Sequence, residues 1–319
     1  IDERLPVSQH AMNYGGSTMF LDTTDRVRVE DLLRGIIVLS GNDACAVIAE
    51  ALSPDGTEAG FARMMTERAR NMGMMNSTFA NSNGWPAAGH RMSMRDLGIL
   101  ADHLITDYPT FYPLFSETEF LFDGRAPQNI HNRNPLLELG IGADGLKTGH
   151  TQEAGYGLVG SAKQGDRRII FVITGLQTEQ QRAEEAERIV NWAFRQFAQR
   201  DVARGGTRLA EAEVWQGESH SVGLVLEDDL SLLVPVTGGS NGIRADVVYN
   251  GPLTAPISAG DQVGELVIHL DNLPETRLPL LAESDVARGG FTSRLRTAAD
   301  VLRAKFLDNS GTPDEEGSS

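Results

Sequence analysis

The stretch "GADGLKTGHTQEAGYGLVGSAKQGDRRIIFVITGL", residues 142–176, decides how this chain folds. Its second half holds two apolar runs around Gln164-Gly165-Asp166, and a glycine-centred turn between such runs is a strong hairpin signal. Its first half, Gly142 to Thr151, is a Gly-rich loop or strand edge. Glycines flanking Lys147 and Thr148 let a ligand backbone approach an edge strand closely. Lys147 brings positive charge and Thr148 a hydroxyl. The backbone N–H groups of Gly149 and His150 can aim at a developing oxyanion. By itself a Lys-Thr-Gly tripeptide reads more readily as a solvated turn.

Downstream, Glu179 to Gln199 reads as a long amphipathic helix, with Ala183, Ala186, Ile189, Val190, Trp192 and Phe194 as its apolar positions. Upstream, "RVRVEDLLRGIIVL" (26–39) reads as a short strand and then a helix, and Asp43 to Leu52 as a second helix. The Ser40-Gly41-Asn42 turn between them has a bland reading as an N-cap. Its functional reading has the Ser40 hydroxyl relaying a proton while the Asn42 amide holds a substrate carbonyl. A third helix spans Gly60 to Met72, whose methionines read as core filler. Ser93 opens a fourth helix, with Asp96 close to a capping box. "EFLFDGRAPQN" (119–129) predicts a hairpin turning at Asp123-Gly124, and residues 1–20 look extended and turn-rich.

From Arg204 to about Ala282 short apolar–polar alternations are broken by Gly, Asn and Pro, the pattern of a small all-β domain. The expected division is 1–203, then a β-rich domain over 204–287, an amphipathic helix over 288–307 and a disordered acidic tail over 308–319.

Forty-four acidic against 28 basic residues give a net charge of -16, which argues against a nucleic-acid partner. Lys147, Lys163 and Lys305 are the only lysines, so a lysine at a motif position carries extra information. Cys45 is the single cysteine; it permits no intrachain disulfide and reads as a small buried apolar residue. His10, His90, His103, His131, His220 and His269 lack metal-ligand spacing. No apolar run approaches the roughly 20 residues of a membrane span, and no signal-peptide pattern is visible. The chain opens on Ile1 rather than Met, which points to residues upstream.

Two motifs in order, S-x-N at Ser40–Asn42 and K-T-G at Lys147–Gly149, are two thirds of the S-x-x-K, S-D-N and K-T-G set of penicillin-binding proteins and class A β-lactamases. Five ordered blocks carry the likeness further: "LLRGIIVLSGNDACAVIAE" (32–50), "NSNGWPAAGHRMSMRDLGILADHLI" (81–105), "NRNPLL" (132–137), "GADGLKTGHTQEAGYGLVGSA" (142–162) and "AEEAERIVNWAFRQF" (183–197). From about residue 18 to 200 the chain resembles the low-molecular-mass penicillin-binding proteins that act as D-alanyl-D-alanine carboxypeptidases. The resemblance implies an α/β (α+β) transpeptidase-like domain, then a small all-β domain and a C-terminal amphipathic helix. It implies a serine enzyme that removes the terminal D-Ala from peptidoglycan stem peptides through an acyl-enzyme, is acylated by β-lactam antibiotics, and needs no metal or cofactor.

The same resemblance assigns roles. Ser40 and Asn42 are the proton relay and the substrate-amide contact. Lys147 is the electrostatic anchor, and Thr148 touches the substrate carboxylate. The N–H of His150, beside Gly149, is half of the oxyanion hole. Arg182 steadies the terminal carboxylate, its bland alternative being a solvated helix arginine, and Arg133 stands at the cleft edge. One departure is serious. An S-x-x-K match would need Ser at 144, 160 or 302, which are Asp144, Gly160 and Leu302. The nucleophile block is expected upstream or on a separate piece, and these 319 residues are expected to be inactive on their own. The alternatives are a non-catalytic peptidoglycan-binding homologue and a class A-like β-lactamase. The expected location is the periplasm. The basic amphipathic segment 288–307 resembles the family's membrane-surface anchor and implies a weak peripheral contact with the inner membrane.

Overall fold

The computed structural model describes residues 1–125, 128–236, 243–270 and 274–291, and divides the chain into a unit of Ile1–Arg195 and a unit of Gln196–Ser319. The first unit begins with β1 (Arg4–Pro6), α1 (Gln9–Met12) and β2 (Arg26–Arg28), which pairs antiparallel with β1 at Leu5–Val27. The opening residues, expected to be extended throughout, thus include one helical turn, N-capped by Ser8. Then come α2 (Val29–Arg34), a π-helical turn over Gly35–Leu39 and α3 (Asn42–Leu52). A Cβ on Gly35 would meet the Met19 sulfur at 2.0 Å, so this contact requires glycine. Leu32, Val38, Leu39, Ala44 and Val47 pack with Met19, Leu21 and Val27 in one core.

α4 (Glu58–Asn71) is capped by Thr57, whose hydroxyl accepts from the Gly60 N–H at 3.0 Å. Its buried residues include the small Ala62 and Ala69, while the expected filler, Met64 and Met65, is half-buried. α5 (Met94–Asp107) has Ser93 as N-cap as expected. Asp96 does not complete a capping box. Buried fully, it accepts from the Asn76 N–H and the Ser77 hydroxyl and ties the preceding loop to the helix. A 3-10 turn follows at Tyr112–Ser116. Where a hairpin is expected over 119–129, the flanks pair antiparallel at a single bridge, Glu119 with His131, without a longer ladder among the described residues; residues 126–127 of its turn lie outside them.

β3 (Ala143–Thr151), β4 (Gly155–Gln164) and β5 (Arg167–Leu176) form an antiparallel sheet with β4 in the middle, so β3 is an edge strand. The register sets Lys147 opposite Val159 and Val159 opposite Val172. α6 (Glu179–Gln196) supplies Ala186 and Val190 to a core with Leu136, Leu158 and Ala162. Ala101 of α5, Tyr112 and Leu146 form a second cluster with Val159 and Ile170.

The second unit holds β6 (Phe197–Ala203), β7 (Arg208–Trp215), β8 (Ser221–Val225), β9 (Leu230–Pro235), β10 (Ile243–Val248), β11 (Leu253–Thr254), β12 (Gln262–Leu270) and β13 (Thr276–Ala282). Their sheets are ordered β10-β12-β13-β8-β7-β11 and β6-β9. Along β7, Ala212 and Val214 are buried and Glu211 and Glu213 exposed, the alternation that revealed these strands. Residues 197–199, read as the end of the long helix, and 200–203, read as the end of the first domain, together form β6, because Phe197 to Ala203 pair with β9. Arg288 bridges to Gly217, and the helix expected from there falls almost entirely beyond the described residues, as does the acidic tail. No helix among the described residues is long and apolar enough to cross a membrane.

Candidate active site

Two segments far apart in sequence meet at one hydrogen bond. The Lys147 ammonium, on edge strand β3, donates to the Ser40 hydroxyl at 2.9 Å across 107 positions, and to its neighbour's carbonyl, Thr148 O, at 3.1 Å. Ser40 closes the π-helical turn with φ 60° and ψ 41°, a left-handed conformation that costs a non-glycine residue free energy. The turn is held by the Gly41 N–H on Gly35 O at 2.9 Å and the Asn42 N–H on Ser17 O at 2.8 Å. Asn42 begins α3, and its side-chain amide donates to Gly15 O at 2.8 Å. Behind it Asp43, 1 % exposed, accepts from the N–H groups of Met19 and Leu21 and fixes that irregular segment.

Electrostatics at this point favour a labile proton. Burial lowers the Lys147 pKa to about 8, and the nearby Arg133 and Arg182 charges push the same way. Cys45, one helical turn past the S-x-N turn, has its thiol pushed up to about 12 by burial, opposed by the Lys147 charge. That keeps the thiol protonated at neutral pH, while the residue is half-buried rather than fully buried as read from the sequence.

The two arginines are integral to the wall. Arg133 donates to Leu39 O at 2.6 Å and to the Ser17 hydroxyl at 3.0 Å. Arg182 is 4 % exposed, so the solvated-helix alternative fails. It donates to Arg133 O at 3.3 Å and lies over the Tyr156 ring at 5.7 Å. Thr148, Gly149 and His150 continue along β3, where the His150 ring stacks on Tyr156 at 3.9 Å. An open depression of about 230 Å³ lies beyond them, lined by His150, Glu153, Tyr156 and Gln177 among others.

Sequence reasoning missed the supports. Arg168 forms a bidentate pair with Asp144 at 2.7 Å, and the Tyr112 hydroxyl donates to the same carboxylate at 2.9 Å, bracing the start of β3. Ser17, Asp43 and Asn134 also escaped notice, since single Ser, Asp and Asn residues in turns carry no distinguishing pattern. Among the described residues no group of three or more His, Cys, Asp or Glu is arranged to hold a metal ion.

Residues 1–178 match the D-alanyl-D-alanine carboxypeptidase family model, and residues 197–288 match that of the penicillin-binding protein 5 C-terminal domain. D-alanyl-D-alanine carboxypeptidase DacC of Escherichia coli is 36% identical over 92% of this chain and 71% of its own length. DacD of Salmonella typhimurium is 34% identical over 88% of this chain and 71% of its own. Among solved structures, penicillin binding protein 5 from Haemophilus influenzae superposes with a TM-score of 0.77 at 32% identity, covering 90% of this chain and 83% of that one.

Proposed function

The chain belongs to the D-alanyl-D-alanine carboxypeptidase family of penicillin-binding proteins, and we propose that its Ser40–Asn42 turn and Lys147–His150 strand grip the terminal D-Ala-D-Ala of a peptidoglycan stem peptide for serine-type acyl transfer. The observation that carries this reading is the 2.9 Å contact between Lys147 Nζ and Ser40 Oγ. It joins a cation suited to a C-terminal carboxylate to a hydroxyl able to pass a proton.

The Lys147 ammonium and the Thr148 hydroxyl bind the substrate carboxylate, with Arg182 adding positive charge on that side and Arg133 standing at the cleft edge. Gly149 lets the peptide backbone lie close to the free edge of β3. The Asn42 amide contacts the substrate amide, and the His150 N–H is one of two donors to the oxyanion. A serine hydroxyl attacks the carbonyl of the penultimate D-Ala; the terminal D-Ala departs as its amine after taking up a proton, for which Ser40 and Lys147 are the relay. Water then hydrolyses the ester. A β-lactam is attacked in the same way, its amide opens, and the ester persists. With a pKa of about 8, Lys147 has both protonation states available near neutral pH, as a relay requires.

The attacking serine is expected in an S-x-x-K block, and residues 1–319 contain no such match. We therefore expect residues 1–319 on their own to bind N-acetyl-D-Ala-D-Ala without releasing D-Ala and without labelling by a fluorescent penicillin. Normal D-Ala release by this chain refutes that. The same observation favours a second reading, a non-catalytic peptidoglycan-binding homologue. Penicillin labelling of the protein isolated from its native cells separates the two, since only the enzyme forms the ester. A β-lactamase is disfavoured by the β unit that continues past α6. The reading includes a periplasmic location and a weak membrane-surface contact through residues 288–307. Unchanged liposome binding after their removal counts against that contact.

A further inference from the structure

The tripeptide Asn132-Arg133-Asn134 touches both motifs at once. The Arg133 guanidinium holds the carbonyl of Leu39, the residue just before Ser40, at 2.6 Å, and the Ser17 hydroxyl at 3.0 Å. The next side chain, Asn134, donates to Gly145 O on β3 at 3.0 Å, two residues before Lys147. Asn134 is 5% exposed, and its own oxygen accepts from the Leu136 N–H at 3.1 Å, so its orientation is determined. Asn132 anchors the other end, donating to Glu117 O at 3.0 Å and accepting from the Asn134 N–H at 3.0 Å. Arg182 fixes the tripeptide from behind through Arg133 O.

We infer that Arg133 and Asn134 are paired positioning residues, a strut that sets the distance and orientation between Ser40 and Lys147. The inference rests on the proposed role of that pair and assigns Arg133 a task other than clamping the substrate. Neither Ser40 nor Lys147 is held where they meet by its own strand or helix alone. Ser40 is in a strained left-handed conformation, and strain persists only where surrounding contacts over-determine it. Among the described residues, Lys147 lies on an edge strand with a neighbour on one side only. The strut supplies the missing constraint to both. A guanidinium suits one end, because a single planar nitrogen can donate to two acceptors in fixed directions. The charge of Arg133 also acts on Lys147, together with Arg182 and the Cys45 thiol, so charge and geometry must be separated.

Three lysines in the chain make that separation practical, since lysine labelled at Cε gives three resonances to titrate. In the parent chain Ser40→Ala removes an acceptor from the Lys147 ammonium and should lower its proton affinity about tenfold. Arg133→Lys keeps a cation but loses the planar fork, and Asn134→Asp keeps shape but turns an oxygen toward Gly145 O. In either background the strut predicts that the Ser40→Ala effect shrinks to less than about twofold. Retention of the full effect in both overturns the inference. Binding of N-acetyl-D-Ala-D-Ala and of its C-terminal amide gives the second readout. A strut leaves the acid-to-amide preference of Arg133→Lys and Arg133→Gln near the parent value, whereas a carboxylate clamp at Arg133 makes it collapse in Arg133→Gln. If the parent binds neither peptide, the proposed substrate fails while the titration still judges the strut. Circular dichroism of each variant excludes those that do not fold, and the two independent positions keep the test alive if one is lost.

Discussion

Lys147 is the residue on which chemistry and environment meet. Desolvation, then the charges of Arg133 and Arg182, bring its pKa down to about 8. Affinity for a peptide ending in a free carboxylate should therefore fall as pH rises through about 8, where the ammonium is lost. Lys147→Arg stays charged and should remove that alkaline loss while weakening binding at neutral pH, because the guanidinium cannot repeat the Ser40 contact. Titration calorimetry across neutral to alkaline pH checks both. The folding linkage has the opposite sign. Between about 8 and the ordinary 10.5 the unfolded chain holds this proton and the folded chain does not, so the lysine's contribution to stability rises with pH there. Its identity as a motif residue was legible in sequence, because lysine is so rare here and glycines flank it. Its partner was not legible from local pattern, since a Ser before a helix is first a cap; the order of the two motifs and the family resemblance singled out Ser40.

At the scale of elements, the loops around the site are tied to helices by buried carboxylates. Glu58, in the first turn of α4, accepts from the Tyr14 hydroxyl at 2.7 Å, the Ser82 N–H at 2.9 Å and the Ser82 hydroxyl at 2.5 Å, and contacts His10 at 2.8 Å. It thereby joins α1, α4 and the 81–85 loop, whose Trp85 ring packs at Gly16 near the Asn42 amide. Burial pushes its carboxyl up, but the bonds from Ser82, Tyr14 and His10 together outweigh this and hold it below its ordinary range. A depressed carboxylate stabilises the fold above its unfolded pKa and loses that contribution as pH falls through the folded value. Glu58→Gln should cost about 1–3 kcal/mol in urea denaturation at neutral pH and reduce the acid-side fall of stability. α4 itself was legible from its spacing, and β4–β5 from their turn. The 119–129 hairpin was read with more pairing than the described residues have, because a turn dipeptide specifies a bend but not the length of the ladder on either side of it. The end of α6 was misread because Phe197 continues its apolar spacing, whereas pairing with β9 makes it a strand.

Across the whole molecule, two units have separate cores. The second buries Ala212, Leu224, Leu266, Ile268 and Leu280 within its own strands. Residues 197–288, expressed separately, should show a cooperative thermal transition by circular dichroism; a featureless melt shows that the unit needs the rest of the chain. Periodicity and turn chemistry were enough to read α2 to α6, the β4–β5 hairpin and the β character after residue 204, because those properties depend on neighbours within a few positions. The order of the two motifs, with their five flanking blocks, was enough to suggest the family. The direct hydrogen bond by which Ser40 and Lys147 meet, the contacts of Arg133 and Asn134, the burial of Arg182 and the lowered pKa of Lys147 became visible only in the folded chain. Each depends on groups tens of residues apart brought within hydrogen-bonding or Coulombic reach, and such distances are set by packing, which no local pattern encodes.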